Sequence, residues 1–270
     1  MIVGSNGLIG NKILENYEIR NNEFNCFSKK ITNYDLIFES ILNFLKTKKG
    51  IKFDRFYLIF CAGKGGFSLD SKSASTQKSI FKKFVIRVYE ENFENFKFFF
   101  ISSLGCYLSQ FKTPYKQLMN TNEDFILSFR DSYVLRLPSI WGFNKKAKQP
   151  KGLIGNLIFS IKNQSESKIF GDLNTSRNYI SDNTIGIYLY RFLQNKEFSS
   201  REYNFYNYCS YSINDILLLI KKITKKNVFY KKHPGKIEDK ESYNMSPKSG
   251  VNIKVIESIH MEIYKLWMSL

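Results

Sequence analysis

The sequence predicts an α/β fold, a doubly wound and mainly parallel sheet with a smaller C-terminal lobe, and three observations carry that prediction. Short apolar runs alternate with helical patterns through the first half of the chain. The first run leads directly into Gly4-Ser5-Asn6-Gly7-Leu8-Ile9-Gly10, a glycine turn between a strand and a helix. Beyond Trp141-Gly142 a polar, basic stretch from Phe143 to Gly152 marks a connection into a second unit.

The apolar runs at 1–3, 24–27, 56–60, 98–101 and 133–137 read as strands. Between them, 8–17, 34–45, 77–90 and 115–129 carry helical spacing and are long enough to cross the sheet and return. In the second half a helix is expected near 153–162, a strand near 168–170 and a helix over 184–193, with Asn183 and Thr184 capping it. Ser212 and Asp215, just before Ile216, form a capping signature for the next helix, and 255–267 reads as a terminal amphipathic helix. Residues 1–142, joined by 178–207, are expected to form the first domain, with 143–177 and 208–270 making the lobe.

Each glycine of the turn has a physical task. Gly4 permits the turn, Gly7 lets a phosphate approach the backbone, and Gly10 lets the helix pack on the sheet. Unpaired N–H groups and the dipole at the helix start suit a dinucleotide pyrophosphate, held by Gly4, Ser5, Asn6, Gly7, Leu8, Ile9 and Gly10.

Composition narrows the alternatives. With 43% hydrophobic residues and 5 prolines in 270 residues, the chain has the makings of a folded body. No apolar run reaches 18 residues and no leader precedes the glycine turn, so a cytoplasmic protein without a membrane span is expected. Four scattered cysteines and two histidines offer no metal-ligand spacing; Cys26, Cys61 and Cys106 fall in runs read as strands, as small buried hydrophobes. A formal charge of +17 suits an anionic partner, small or polymeric. The lysine pairs are spread along a chain also rich in Asn, Ile, Phe and Tyr, the bias of an AT-rich genome, and the aromatics fall in core-like runs. No nucleic-acid partner is expected.

The fourth apolar run ends in Ser102-Ser103-Leu104-Gly105-Cys106-Tyr107, and Tyr115 follows at the head of a helix. Carboxyl ends of parallel strands are where ligands bind, so the Ser103 hydroxyl and the Tyr115 phenol are candidates to face one ligand. With these residues the chain resembles the extended short-chain dehydrogenase/reductase family, the NAD-dependent epimerase/dehydratases of nucleotide sugars. The resemblance covers almost the whole chain. Cys61-Ala62-Gly63 is similar to the family's Ala-Ala or Ala-Gly segment, and Ser102-Ser103 with Tyr107 to its Ser-Ser-x-x-x-Tyr segment. Leu135-Arg136-Leu137-Pro138-Ser139-Ile140-Trp141-Gly142 resembles the segment that passes the nicotinamide, with Trp141 where Tyr is usual. Arg177-Asn178-Tyr179-Ile180 resembles Arg-Asp-Tyr-Ile, whose arginine binds the nucleotide diphosphate in relatives.

The resemblance implies a Rossmann-type cofactor domain touched by Cys61, Ala62, Gly63, Tyr115, Pro138 and Ile140. It further implies Tyr115 as general acid/base, Ser103 as the group orienting substrate, and Arg177 on the diphosphate. The family lysine four residues after the tyrosine, which holds the nicotinamide ribose and lowers the phenol pKa, is Met119 here. Lys116 stands about 100° round the helix from Tyr115 and cannot replace it, whereas Glu123 matches a family position and supports the register. Either Lys112 or Lys64 supplies the cation, or catalysis is weakened while cofactor binding persists. After the second strand, Ser28-Lys29-Lys30 offers cations in place of the acid of NAD-specific relatives, which favours NADP over NAD.

The expected function is an NAD(P)-dependent nucleotide-sugar epimerase or reductase, transferring hydride at a sugar carbon in surface polysaccharide biosynthesis. Leu104 and Gly105 supply no acid/base pair for dehydration. The alternative is a catalytically impaired cofactor-binding sensor or scaffold. A homodimer through two helices is the family habit.

Overall fold

The computed structural model describes residues 1–18, 26–27, 34–47, 55–63, 69–145, 147–234 and 249–270. The first half runs β1 (Ile2–Val3), α1 (Leu8–Glu18), β2 (Cys26–Phe27), α2 (Tyr34–Thr47), β3 (Phe56–Phe60), α3 (Ser71–Glu90), β4 (Phe96–Ser103), α4 (Leu104–Leu108), α5 (Pro114–Leu127) and β5 (Ser132–Leu137). The second half runs β6 (Ser139–Asn144), β7 (Gln149–Lys151), α6 (Gly152–Lys162), β8 (Ser167–Phe170), β9 (Ser176–Ser181), α7 (Asp182–Leu193) and β10 (Glu202–Asn207). It ends with β11 (Ser210–Ser212), α8 (Ile213–Thr224), β12 (Tyr230–His233), β13 (Val251–Val255) and α9 (Ile259–Ser269).

Seven strands form the main sheet in the order β13-β10-β5-β4-β3-β1-β2, with every pairing parallel. Its central strands are apolar on both faces because helices cover both. Leu58, Phe60, Phe98, Phe100 and Val134 point to one side, against Phe81, Phe84, Val85 and Val88 of α3 and Ile126 of α5. Ile2, Ile59, Phe99, Tyr133 and Leu135 point to the other, against Ile13 of α1 and Ile185, Leu189 and Phe192 of α7. β1 pairs with β2 on one flank and β3 on the other, so the winding reverses at β1 and a crevice opens at its carboxyl end.

A second sheet, β11-β9-β6-β7, and a strand pair, β12-β8, build the lobe. Its core gathers Trp141, Ile154, Leu157, Ile158, Tyr179, Ile216, Ile220 and Ile263 between these strands and α6, α8 and α9.

Several expectations need correction. The stretch 143–152 is no simple connection: β6 and β7 pair antiparallel across it, with Phe143 opposite Pro150. The cap of α7 is Ser181, whose hydroxyl accepts from Thr184 N–H, so Asn183 and Thr184 lie inside the helix. Residue 255 ends β13 instead of opening the terminal helix, which starts after the Ser258 cap. β13 also joins the main sheet, beside β10, although 208–270 is expected in the lobe. Cys106 lies on α4, not on a strand. The Ser212–Asp215 capping box is present as expected. Among the described residues no helix is long and apolar enough to cross a membrane.

Candidate active site

The glycine turn is a backbone cradle. Gly4 sits at φ 94°, and a Cβ there would lie 2.9 Å from the Ala62 nitrogen at the end of β3. A Cβ on Gly10 would lie 2.5 Å from the Gly4 carbonyl oxygen, so α1 rests directly on the turn. Gly7 N–H donates to the Gly4 carbonyl at 2.9 Å, and Asn11 N–H donates to the Gly7 carbonyl at 3.0 Å. The N–H groups of the first turn of a helix have no intrahelical acceptor, and no acidic residue stands in that turn of α1. From the lobe, Asn144 Nδ2 donates to the Asn6 carbonyl at 2.8 Å and pins the loop. This cradle fits a dinucleotide pyrophosphate: the backbone is approachable where a side chain would fill the space, and the dipole favours an anion.

Ser103 closes β4 and caps α4, its hydroxyl accepting from Cys106 N–H at 3.3 Å. The Tyr115 phenol stands with Ser103 on the wall of one cavity. Tyr115 is placed by the start of α5, where Thr113 caps Lys116 N–H and Pro114 takes the first helical position. Burial pushes the Tyr115 pKa up, the nearby Cys106 adds to the rise, and Ser103 opposes it. Met119, one turn on, packs with Leu69, Ala74 and Leu118 and provides no charge. Lys116 donates its ammonium to the Ser109 carbonyl. Lys112 is exposed, and Lys64, Ser28, Lys29 and Lys30 lie outside the described residues.

Beneath the pair runs a buried ionic network that the sequence reading missed. Glu123, 4% exposed, accepts from the Ser102 hydroxyl and from Arg136 Nε and Nη2 at 2.9 and 2.7 Å. Arg136 also pairs with Glu202, donates to Asn204 Oδ1 at 3.3 Å, and lies 4.0 Å from the centre of the Tyr107 ring. Burial pushes the Glu123 carboxyl above its ordinary range, while Arg136 and Ser102 pull it back. The available signal was an arginine inside an apolar strand run, a placement that calls for a buried acid.

A second buried acid joins cradle and lobe. Asp182 opens α7 and is pushed up to about 6 by burial, against the pull of Lys12 on α1. A Cβ on Gly142 would meet its carboxyl carbon at 2.3 Å, so β6 can pass only because that position is glycine. Asn178 does structural work: its side chain accepts from Asn207 N–H at 2.7 Å and donates to the Asn207 carbonyl at 2.8 Å.

Two cavities meet at Tyr115. The larger, about 950 Å³, brings together Ser103, Tyr115, Pro138, Ile140 and, from β9 of the lobe, Arg177. The smaller, about 190 Å³, is lined by Ile9, Cys61, Ala62, Gly63, Tyr115 and Met119, among others. Gly4, Ser5, Asn6, Gly7, Leu8 and Gly10 form the turn next to it. Trp141 is fully buried in the lobe core.

This arrangement, a parallel sheet with a glycine cradle at its switch point and a serine–tyrosine pair at the next strand end, defines a Rossmann-type α/β protein. Its architecture is that of solved nucleotide-sugar enzymes. The UDP-glucose 4-epimerase of Thermotoga maritima, solved with UDP-glucose, matches with a TM-score of 0.75 over 99% of this chain and 96% of its own, at 15% identity. The UDP-glucose 4-epimerase of Thermus thermophilus, complexed with NAD, matches at 0.71 over 91% and 89%, with 14% identity. A GDP-6-OMe-4-keto-L-xylo-heptose reductase from C. jejuni matches at 0.67 over 99% and 96%, with 14% identity. No protein-family model and no curated protein sequence matches the chain.

Proposed function

We propose that the chain binds a nicotinamide dinucleotide over the glycine turn and in the smaller cavity, binds a nucleotide sugar in the larger one, and transfers hydride at a sugar carbon. The observation that carries this reading is that Ser103 and Tyr115 together line the larger cavity while Tyr115 also walls the smaller one. Fold neighbours solved with UDP-glucose and with NAD support it.

A bound nicotinamide supplies the hydride acceptor or donor. Ser103 orients the sugar hydroxyl or carbonyl by a hydrogen bond, and Tyr115 takes up or returns the proton at its phenol oxygen. Arg177, nearly buried at 8% exposure on the far wall, offers a planar fork that matches a diphosphate. The cations at Ser28-Lys29-Lys30 favour NADP over NAD, and the place in surface polysaccharide synthesis rests on the resemblance alone.

Met119 favours a second reading, a cofactor-binding sensor or scaffold, because that position cannot hold a ribose by charge. The two readings part in one experiment. Purified chain is titrated with NADH and NADPH and then assayed with keto and hydroxy sugar nucleotides, alongside Tyr115→Phe and Met119→Lys. Turnover by the native chain that Tyr115→Phe abolishes supports the enzyme; tight cofactor binding with turnover only in Met119→Lys supports the sensor.

A further inference from the structure

The smaller cavity contains a polar group that the proton chemistry leaves unused. Tyr115, Met119 and Asn122 follow one another at i, i+4 and i+7 along α5, so they share one helix face, and all three line the cavity. Asn122 is 4% exposed, and its Oδ1 finds no hydrogen-bond donor among the described residues. Phe81, Leu118 and Met119 stand on the same wall. In such surroundings a carboxamide oxygen is costly unless something donates to it, and a leucine would fill the same space without that cost.

The position of the cavity limits what that donor is. It opens at the carboxyl ends of β3 and β4, on the flank of β1 away from β2. A dinucleotide spanning a switch point places one nucleoside on each flank of the glycine turn, so this flank receives the half remote from β2. At about 190 Å³ the cavity admits a furanose ring. We propose that Asn122 Oδ1 accepts a hydrogen bond from a hydroxyl of the distal ribose, anchoring by a neutral bond the sugar that Met119 cannot hold by charge. The proposal rests on the dinucleotide reading above, and it adds a ligand contact from a residue outside the tyrosine motif.

Calorimetry with ADP, ADP-ribose and NAD, on the native chain and on Asn122→Leu, tests it. ADP lacks the distal ribose; ADP-ribose carries it without the nicotinamide. Asn122→Leu is expected to leave ADP affinity unchanged and to weaken ADP-ribose and NAD about tenfold. The ligand-free variant is expected to melt about 2–4 °C higher, because an unpaired buried acceptor has gone. Unchanged ADP-ribose and NAD affinity would overturn the proposal, as would an equal loss for ADP, which marks a structural role. A native chain that binds ADP-ribose no more tightly than ADP would overturn it and leave the glycine-turn reading standing; binding of none of the three, and of neither NADP nor NADPH, would overturn both. If Asn122→Leu does not fold, Asn122→Ala must show the same split between ADP and ADP-ribose.

Discussion

The two cavities that share Tyr115 are made of different material. The smaller is bounded by the strand end Cys61-Ala62-Gly63 and by side chains of α3 and α5, Phe81, Leu118 and Met119 among them, and beside it stands the glycine turn, where added Cβ atoms at Gly4 and Gly10 would come within 2.9 and 2.5 Å of backbone. The larger is walled by side chains of the lobe, among them Leu153, Thr175 and Arg177. The glycine turn is fixed by steric necessity and suits what all dinucleotides share. A side-chain wall is free to change, and selectivity among sugar nucleotides belongs there.

Changes beneath both cavities would break them together, and the largest effect is expected there. Arg136→Met leaves Glu123 buried without its cation and should cost about 3–5 kcal/mol in urea unfolding. Adding Glu123→Leu should recover much of that loss, because the stranded charge is then gone.

Next in size is the joint between cradle and lobe, Asp182. Its carboxyl is raised from 3.8 to about 6 in the folded chain, so the folded state holds this proton after the unfolded state has released it. The stability associated with the protonated group is present below about pH 4 and is lost as pH rises to about 6. That loss is on the order of 3 kcal/mol, from about 1.36 kcal/mol per unit. Asp182→Asn should therefore match the native chain at about pH 4 and exceed it at about pH 7, as urea midpoints across that range would show. A constant difference across that range would contradict the assignment.

Two substitutions sharpen the contrast between the walls. Gly10→Ala should lose about 1–3 kcal/mol of stability by overpacking and lose dinucleotide binding, while UDP binding persists. Arg177→Ala should do the reverse, weakening UDP roughly 10–100-fold with the dinucleotide titration unchanged. Calorimetry of both variants with both ligands checks the crossed pattern.

The same difference in material explains what the sequence revealed. The glycine turn and β3 are legible because local spacing dictates them, and β3 occupies 56–60 as read. α3 begins at Ser71, six residues before the expected 77, because its first turns are polar and the Asp70 cap precedes any apolar periodicity. β10 and β13 carry a weaker local signal: their pairing is non-local, and Asn204 interrupts β10 while Asn252 and Lys254 interrupt β13. Ser103, Tyr115, Pro138, Ile140 and Arg177 follow from the resemblance, and the structure brings all five to one cavity. Asn122 does not, since the helix pattern that places it says nothing about which polar residues the tertiary packing buries, and the buried role of Arg136 is signalled only by its place in an apolar strand run.

The central claim, that Tyr115 stands between a dinucleotide and a sugar nucleotide, is tested most directly by a crystal structure of the chain grown with NAD and UDP-glucose. The pyrophosphate should lie over Gly4 to Gly10, the nicotinamide beside Tyr115, and the UDP diphosphate on Arg177. Both ligands bound elsewhere, or absent at saturating concentration, would contradict it.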